Sequence, residues 1–263
     1  MKTHLRSLTC LVIILIIGFG CKTFSKLLVK NGSEFLVQIE TNENDKEAVL
    51  QQAIKITQNK LNSVGLDGEV IKDPDDPNRL IVRVYGSKDL ERAKKFLFTT
   101  YQLELRKVIS SPNPYPVTTY PTAEAAKQVA KGDQEVFAYL DHNSETENFV
   151  IVEKSVIVNG DDIRDAKARP RYDEPSENTI SFTLKPQGAT KFGDWTNRNI
   201  NNYLAIILNR KVQSTAYIRT QIIDSGEING RFTKEQAEDI AMGLKSGYLP
   251  ATMKIVEEKQ IGN

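Results

Sequence analysis

Two hydrophobic periods alternate along the first half of the chain. In four short segments apolar and polar residues alternate, which is typical of half-buried strands, and in two longer segments apolar residues recur every three or four positions, which is typical of amphipathic helices. In chain order they predict a strand Phe35–Thr41, a helix Lys46–Val64, strands Glu69–Lys72 and Arg79–Tyr85, a helix that begins after Ser87, and a strand Tyr101–Val108. Asp45 is placed to cap the first helix and Gly65 to end it.

The resulting order, β-α-β-β-α-β, predicts a ferredoxin-like domain over residues 33–108, with a four-stranded sheet that carries both helices on one face. Residues 109–149 differ: SSPNPYPVTTYP is too rich in proline for regular structure, AEAAKQVAKG can form a short helix, and DHNSETEN favours a polar turn. We interpret this stretch as a solvated connector. The alternative is a binding loop, with Tyr115 and Tyr120 as its candidate residues.

A second, small α+β unit is predicted over residues 150–252. Its strands are Phe149–Val158, Thr179–Leu184, Leu204–Leu208, Val212–Arg219 and the short Glu227–Phe232, and its helices are Gln187–Asn202 and a helix that begins with the capping box Thr233–Gln236. A last strand follows at Met253–Gln260. The fold class expected for the whole chain is therefore α+β.

Three acids in the second unit, Asp161, Asp162 and Asp165, resemble a metal cluster at first sight. Acids in the first turn of a helix mainly cap free N–H groups and complement the helix dipole, and we interpret these acids in that way. Trp195 is interpreted as a core or edge anchor. No metal and no cofactor is expected.

Composition narrows the function classes further. The chain has 35 Lys and Arg against 34 Asp and Glu, and residues 1–21 contain two of the basic residues and no acid, which leaves a net charge of −1 beyond residue 21. That balance excludes an electrostatic footprint for nucleic acid over the whole chain. The only histidines are His4 and His142, and the only cysteines are Cys10 and Cys21. A zinc cluster, a Cys–His pair or an internal disulfide beyond residue 21 is excluded by this count, and no enzymatic constellation is found.

The N-terminus, MKTHLRSLTCLVIILIIGFGC, has a basic start and then the apolar run Leu8–Gly20. A run of this length spans roughly 20 Å as a helix, less than the hydrocarbon core of a membrane, and we expect residues 1–21 to be a signal peptide. Cys21 directly follows the run, as in the lipobox of bacterial lipoproteins, although Gly18 stands where that motif usually has leucine. Lipidation of Cys21, cleavage to a secreted protein, and an uncleaved signal anchor remain as alternatives. All three place the rest of the chain outside the cytoplasm.

Several longer segments carry a family resemblance, in the family's order. In the second unit they are NGDDIRDAKA, ISFTLKPQGATKF, NRNINNYLAIILNRKV, GEINGRFTKEQAEDIAMGLKSGYLPA and KIVEEKQIG, and in the first they are VLQQAIKITQNKLNSVGL and RLIVRVYGSKDLERAKKFLFTTYQLELRKV. Over residues 35–261 they resemble the periplasmic P1 domain of SecD and SecDF protein-export membrane proteins. The first unit is similar to the P1 base and the second to the P1 head. The resemblance implies that the strand at residues 253–261 returns to the base.

The resemblance also implies a location on the periplasmic side of the bacterial envelope and contact with extended or unfolded polypeptide, with Sec translocon components as possible partners. The sequence departs from the family at LLVKNGSEFLVQIE, which lacks the usual Asp and paired glycines, and at Asn209–Arg210, where the family has Asp-Gly. The family also continues into membrane helices where this chain stops. Two functions are expected from these observations: a non-catalytic module that binds polypeptide, or a diverged structural or assembly lipoprotein that kept the fold.

Overall fold

The computed structural model describes residues 31–110, 117–140 and 146–262, which form an α+β structure. Its helices are α1 Lys46–Ser63, α2 Leu90–Phe98, α3 Ala123–Val129, α4 Pro186–Arg198 and α5 Lys234–Ser246. Its strands are β1 Gly32–Glu40, β2 Asp67–Lys72, β3 Arg79–Tyr85, β4 Leu103–Val108, β5 Gln134–Leu140, β6 Glu147–Glu153, β7 Val158–Asn159, β8 Ile163–Pro170, β9 Asn178–Leu184, β10 Tyr203–Leu208, β11 Lys211–Tyr217, β12 Ser225–Phe232 and β13 Thr252–Ile261. The predicted α+β class is confirmed.

The first sheet has the strand order β13-β1-β3-β2, with every neighbouring pair antiparallel. Phe35, Val37 and Ile39 of β1 are buried at alternate positions, as the hydrophobic pattern predicts. The edge position expected for the strand after α2 is instead taken by β13, which pairs with β1 along its whole length. The chain turns before β4 at Tyr101, whose φ of 44° is left-handed, and β4 joins another sheet.

The second sheet closes on itself. β4, β10, β11, β5 and β6 are hydrogen-bonded in that order, β6 returns to β4, and β7 adds to the edge of β4. Closure is uneven, since β10 pairs with β4 along its full length whereas β5 joins β11 only at Ala138–Lys211 and Tyr139–Val212. Inside lies a small apolar core that includes Val108, Phe137 and Tyr203.

The described part of residues 109–149 therefore contains regular structure where a solvated connector was expected. α3 confirms the short helix predicted in AEAAKQVAKG, but β5 was not predicted. The β5 segment QEVFAYL is short and lies between polar residues, and its pairing with β6 and β11 is a long-range interaction that a local pattern does not show. Tyr120 forms an isolated β-bridge with Phe149 and so extends this sheet rather than a free loop.

The third sheet has the order β12-β9-β8, and α5 packs between it and α1. The prediction that the acids of NGDDIRDAKA open a helix is wrong, because only Gly160–Asp162 forms a 3₁₀ turn and the chain then continues as β8. A bulge between Ile163 and Asp165 explains the error. It gives the buried residues Ile163 and Ala166 a spacing of three, which resembles a helical period.

One hydrophobic core runs from the first sheet to the third. β10 is buried on both faces, because Leu204, Ile206 and Leu208 face this main core whereas Tyr203, Ala205 and Ile207 face the inside of the second sheet. Residues 1–21, including Cys21, and also Tyr115 lie outside the described residues. In the ranges that are described, no helix is long and apolar enough to cross a membrane.

Candidate functional site

A cleft of about 270 Å³ lies between the outer wall of the second sheet and the third sheet. Apolar side chains form most of its lining, and Glu227 is its one charged residue. β9, α4 and β12 contribute Phe182, Phe192 and Gly226, and β10 and β11 contribute Leu204, Ile206 and Ser214. The cleft is therefore a predominantly apolar space between two sheets that are joined by the loop following β11.

The space exists because small residues face it. Ser214 and Ala216 of β11 pair with Ile206 and Leu204 of β10, so their side chains point to the main core side of this wall. On the opposite side stands Gly226, where a Cβ atom would lie 2.6 Å from Cζ of Phe182. Large side chains at these positions would fill the cleft, as they do at most interior positions of a close-packed protein.

A single buried hydroxyl marks the cleft. Among the side chains that the structure describes, the Oγ atom of Ser214 is the one buried polar atom without a hydrogen-bond partner. Leaving a buried polar group unpaired costs about 1–3 kcal/mol, so such groups are rare in folded proteins. A bound group that offered a hydrogen bond would remove this cost.

Strand edges border the cleft on both sides. Beyond Val212, the described residues Ser214, Thr215 and Ala216 of β11 pair with β10 only, and β12 pairs with β9 only. An unpaired strand edge offers a row of backbone donors and acceptors that an extended chain can use. The cleft thus combines an apolar lining with an unpaired hydroxyl, and β12 lies close to β11 across it without a hydrogen-bonded ladder between them.

A partly buried charge cluster fixes the strands next to the cleft. Arg106 of β4 lies 2.6 Å from Glu104 and 2.9 Å from Glu135 of β5, and Arg210, in the turn before β11, lies 2.6 Å from the other oxygen of Glu135. Burial alone would raise the pKa of Glu135, but its bonds to Arg210 and Arg106 hold the pKa below the ordinary value. Both guanidinium groups also stack on the Phe137 ring. The cluster therefore ties β4, β5 and the β10–β11 turn together.

The acids singled out in the sequence do not converge on a site. Asp162 accepts a hydrogen bond from the backbone N–H of Asn159, which agrees with a capping role at the 3₁₀ turn. Asp165 pairs with Lys245 at 3.2 Å and Lys167 at 3.4 Å, whereas Asp161 is exposed. Trp195 is partly buried against the main core, as expected for an anchor.

Sequence analysis missed Ser214, and the signal available for it is weak. In VQSTAY the two small residues stand at alternate positions, which places them on one face of a strand. The local sequence does not show that this face packs against another sheet. That the small side chains of Ser214 and Ala216 leave space for a cleft can therefore be seen only in the tertiary structure.

The fold and the cleft together define a class of α+β protein with a ferredoxin-like first sheet and a second, sheet-rich part that carries an apolar cleft. The family model described as "SecDF, P1 head subdomain" matches residues 134–251, a range that contains every cleft residue named above. Residues 134–251 thus resemble a P1 head subdomain, and along most of its length the chain resembles the P1 domain of SecD and SecDF.

Similar proteins extend the match to the first sheet. "Protein translocase subunit SecD" of Aquifex aeolicus is 33% identical over 90% of this chain and 43% of its own length, and that of Koribacter versatilis is 33% identical over 82% and 40%. The chain therefore spans less than half the length of these relatives. A solved structure of "a membrane component SecDF that enhances protein export" matches with a TM-score of 0.62 and 25% identity, over 85% of this chain and 98% of that one.

Proposed function

We propose that this protein is a non-catalytic component of the bacterial cell envelope that binds extended or unfolded polypeptide during protein export, on the periplasmic side and beside Sec translocon components. The observation that carries the proposal is the apolar cleft with its unpaired hydroxyl, which lies in the range matched by the P1 head model. The printed names of the relatives, a translocase subunit and a component that enhances export, support the same context.

The cleft favours weak, apolar binding. Each buried CH₂ group contributes about 0.8 kcal/mol, so a few aliphatic side chains provide a modest gain, and ordering an extended chain offsets part of it. We expect a Kd on the order of micromolar or weaker. Because the chain beyond residue 21 is nearly neutral and Glu227 is the single charge in the lining, this affinity should change little with salt.

Filling the cleft tests the proposal. Ala216→Phe should lower the affinity for reduced, carboxymethylated ribonuclease A at least tenfold, because its ring occupies the space between the sheets. The single tryptophan, Trp195, lies on α4 beside the cleft residue Phe192 and reports binding by fluorescence, since ribonuclease A has no tryptophan. Thr252→Phe is the control, because it adds the same ring at an exposed position of β13.

Three results would count against the proposal or against its apolar mode of binding. Equal affinities of wild type and Ala216→Phe would show that polypeptide binds elsewhere. Absence of binding by the wild-type chain at millimolar concentration would remove the binding role and leave a structural or assembly role. A steep loss of affinity with salt would show that charge, and not apolar contact, drives the interaction.

We also propose that Cys21 carries the lipid that anchors the protein to the membrane. Metabolic labelling with an alkyne fatty acid should label the wild type and the Cys10→Ala variant, whose cysteine lies inside the apolar run, but not Cys21→Ala. Two or more acyl chains, at about 0.8 kcal/mol for each buried CH₂, give stable anchoring. Equal labelling of Cys21→Ala would favour an uncleaved anchor or a secreted protein instead.

A further inference from the structure

We infer that a second pocket binds an amphipathic anion, a carboxylate or phosphate group on a short apolar chain or ring. This α2–β11 pocket lies between α2, α5, the β10–β11 turn and the end of β12, and it has a volume of about 480 Å³. Small-molecule sites occupy roughly 300–1,000 Å³, so the pocket has the size of a ligand site. It shares no lining residue with the cleft, and the inference therefore goes beyond the proposed function. Its lining includes Lys95, Lys211, Arg231, Asp239, Val212 and Ile240.

Basic side chains from three separate elements converge on the α2–β11 pocket. α2 contributes Lys95, β11 contributes Lys211 and β12 contributes Arg231. Asp239 of α5 is the one acid among the described lining residues, and its Oδ1 atom lies 3.1 Å from the guanidinium of Arg92, which stands outside the lining. The charge of Asp239 is thus offset by Arg92, and the three basic side chains attract an anion.

The acids that pair with these basic side chains lie outside the pocket. Nζ of Lys211 is 3.1 Å from Glu147 in a solvent-exposed pair, and Nε of Arg231 is 3.9 Å from Glu177. Solvent-exposed ion pairs are weak. Lys95 is exposed, and no carboxylate of the described residues pairs with it. An anionic group beside Lys95 and Lys211 therefore competes with a single solvent-exposed pair.

Apolar side chains form the floor beneath these charges. Leu208 and Ile240 belong to the main core, and Val212 belongs to the core inside the second sheet, so the pocket lies where the two cores meet. These three residues are at most 7% exposed, whereas the side chains of Lys211 and Arg231 are 41% and 48% exposed. The charges therefore stand at the rim of the pocket, and the apolar surface lies deeper.

This layering selects a ligand with two different ends. Its apolar chain or ring displaces water from the floor and packs on the ring of Phe232. That ring is held over Gly230, where an added Cβ atom would lie 2.6 Å from Cζ of Phe232. The anionic group of the ligand remains at the rim, within reach of the basic side chains. An alcohol of the same shape lacks the charge, and an amine of the same shape is repelled.

The decisive experiment compares three water-soluble ligands that share one apolar body: 4-phenylbutyrate, 4-phenylbutan-1-ol and 4-phenylbutylamine. Amide chemical shifts of the isotope-labelled full-length chain measure the affinity and locate the site. We expect 4-phenylbutyrate to shift the amides of residues 211–213 and 231–232. We also expect it to bind about tenfold more tightly than the alcohol or the amine, because these two ligands lack the charge-assisted bonds. 4-Phenylbutyl phosphate, tested in parallel, shows which anionic group the pocket prefers.

Variants that remove one charge test the assignment to these side chains. Lys95→Gln should weaken the binding of 4-phenylbutyrate about fivefold, the upper range for one exposed ion pair. Lys55→Gln is the matched control, because it removes the same charge from an exposed position of α1 and should keep the wild-type affinity. The binding of 4-phenylbutyrate should also weaken as salt rises, unlike the binding of unfolded ribonuclease A at the cleft.

The outcomes separate this inference from the proposed function. Equal affinities for 4-phenylbutyrate and the alcohol would overturn anion recognition. Equal losses in Lys95→Gln and Lys55→Gln would show that only the total charge matters and would overturn the assignment to the pocket. Shifts confined to cleft residues such as Phe182 and Ser214, or no shift at millimolar concentration, would overturn the pocket as a binding site. In each case the binding of unfolded polypeptide is measured separately, so the proposed function stands or falls on its own test.

Discussion

Replacing Gly243 by alanine should lower the free energy of unfolding by about 2 kcal/mol, although alanine is the better helix former. Gly243 lies on α5 against the ring of Tyr101, and a Cβ atom there would stand 2.2 Å from Cδ2 and 2.5 Å from Cγ of that ring. The ring has little room to move, because Tyr101 is 6% exposed and packs against Phe96 with centroids 5.9 Å apart. The added methyl group therefore forces α5 away from the start of β4.

Gly193→Ala is the matched control for this prediction. Gly193 is also a buried helical glycine, but the atom nearest to its added Cβ is Nε2 of Gln221 at 3.3 Å, the end of a flexible side chain. Alanine there should leave the stability unchanged or raise it by up to about 1 kcal/mol. Urea unfolding followed by Trp195 fluorescence measures both variants. Similar changes in the two would show that helix propensity, and not the contact with Tyr101, decides the result.

The effect of Gly243→Ala should extend to the cleft, because α5 joins the first sheet to the third. On one side Asn59 of α1 donates a hydrogen bond of 3.2 Å to the carbonyl of Ser246, at the end of α5. On the other side α5 packs on β8 and β9, and β9 contributes Phe182 to the cleft. A displaced α5 therefore shifts the third sheet relative to β11.

Local signals explain which elements could be predicted from the sequence. Asp45 accepts a hydrogen bond from the N–H of Ala48, and Thr233 and Gln236 form the predicted capping box, since these contacts involve residues three positions apart. Gly65 takes the left-handed conformation expected after a helix, with a φ of 67°. The helix boundaries follow from such contacts.

Long-range pairing explains the rest. β4 and β13 have similar alternating patterns, and nothing within either segment shows which of them completes the first sheet. The choice depends on β4 being apolar on both faces, with Leu103 and Leu105 toward the main core and Val108 toward the inside of the second sheet. The cleft depends on the same choice, because β10 and β11 form its wall only after β4 has joined them.

The burial of Lys60 could have been predicted from the sequence but was not. It follows Val49, Ala53 and Ile56 on the buried stripe of α1, at helical spacing. Its side chain is fully buried and Nζ donates hydrogen bonds to the carbonyls of Leu97, at 3.1 Å, and of Thr99. Nζ also lies 5.1 Å from the ring centroid of Tyr101. Within the described residues no carboxylate pairs with it, and burial lowers the pKa of Lys60 to about 7.

The stability of the protein should therefore rise with pH between about 7 and 9.5 through Lys60. In that window the unfolded chain, with an ordinary lysine pKa of 10.5, binds a proton that the folded chain has released, so the free energy of unfolding increases with pH. Below pH 7 both states are protonated, and this dependence vanishes. The slope is at most about 1.4 kcal/mol for each pH unit, and the gain over the window is roughly 2–3 kcal/mol.

Urea unfolding of Lys60→Met across this pH range isolates the contribution, because methionine has similar size and no charge. Lys55→Met, at an exposed position of the same helix, is the control and should keep the wild-type slope. A flatter slope in Lys60→Met alone is the expected result, and equal slopes in all three proteins would show that Lys60 keeps its proton through the window. Lys60 donates a hydrogen bond to the carbonyl of Leu97 at the end of α2, and its Nζ lies beside the ring of Tyr101, on which Gly243 packs. Loss of the Lys60 proton should therefore affect the contact between α1 and α5, and through α5 the position of the third sheet.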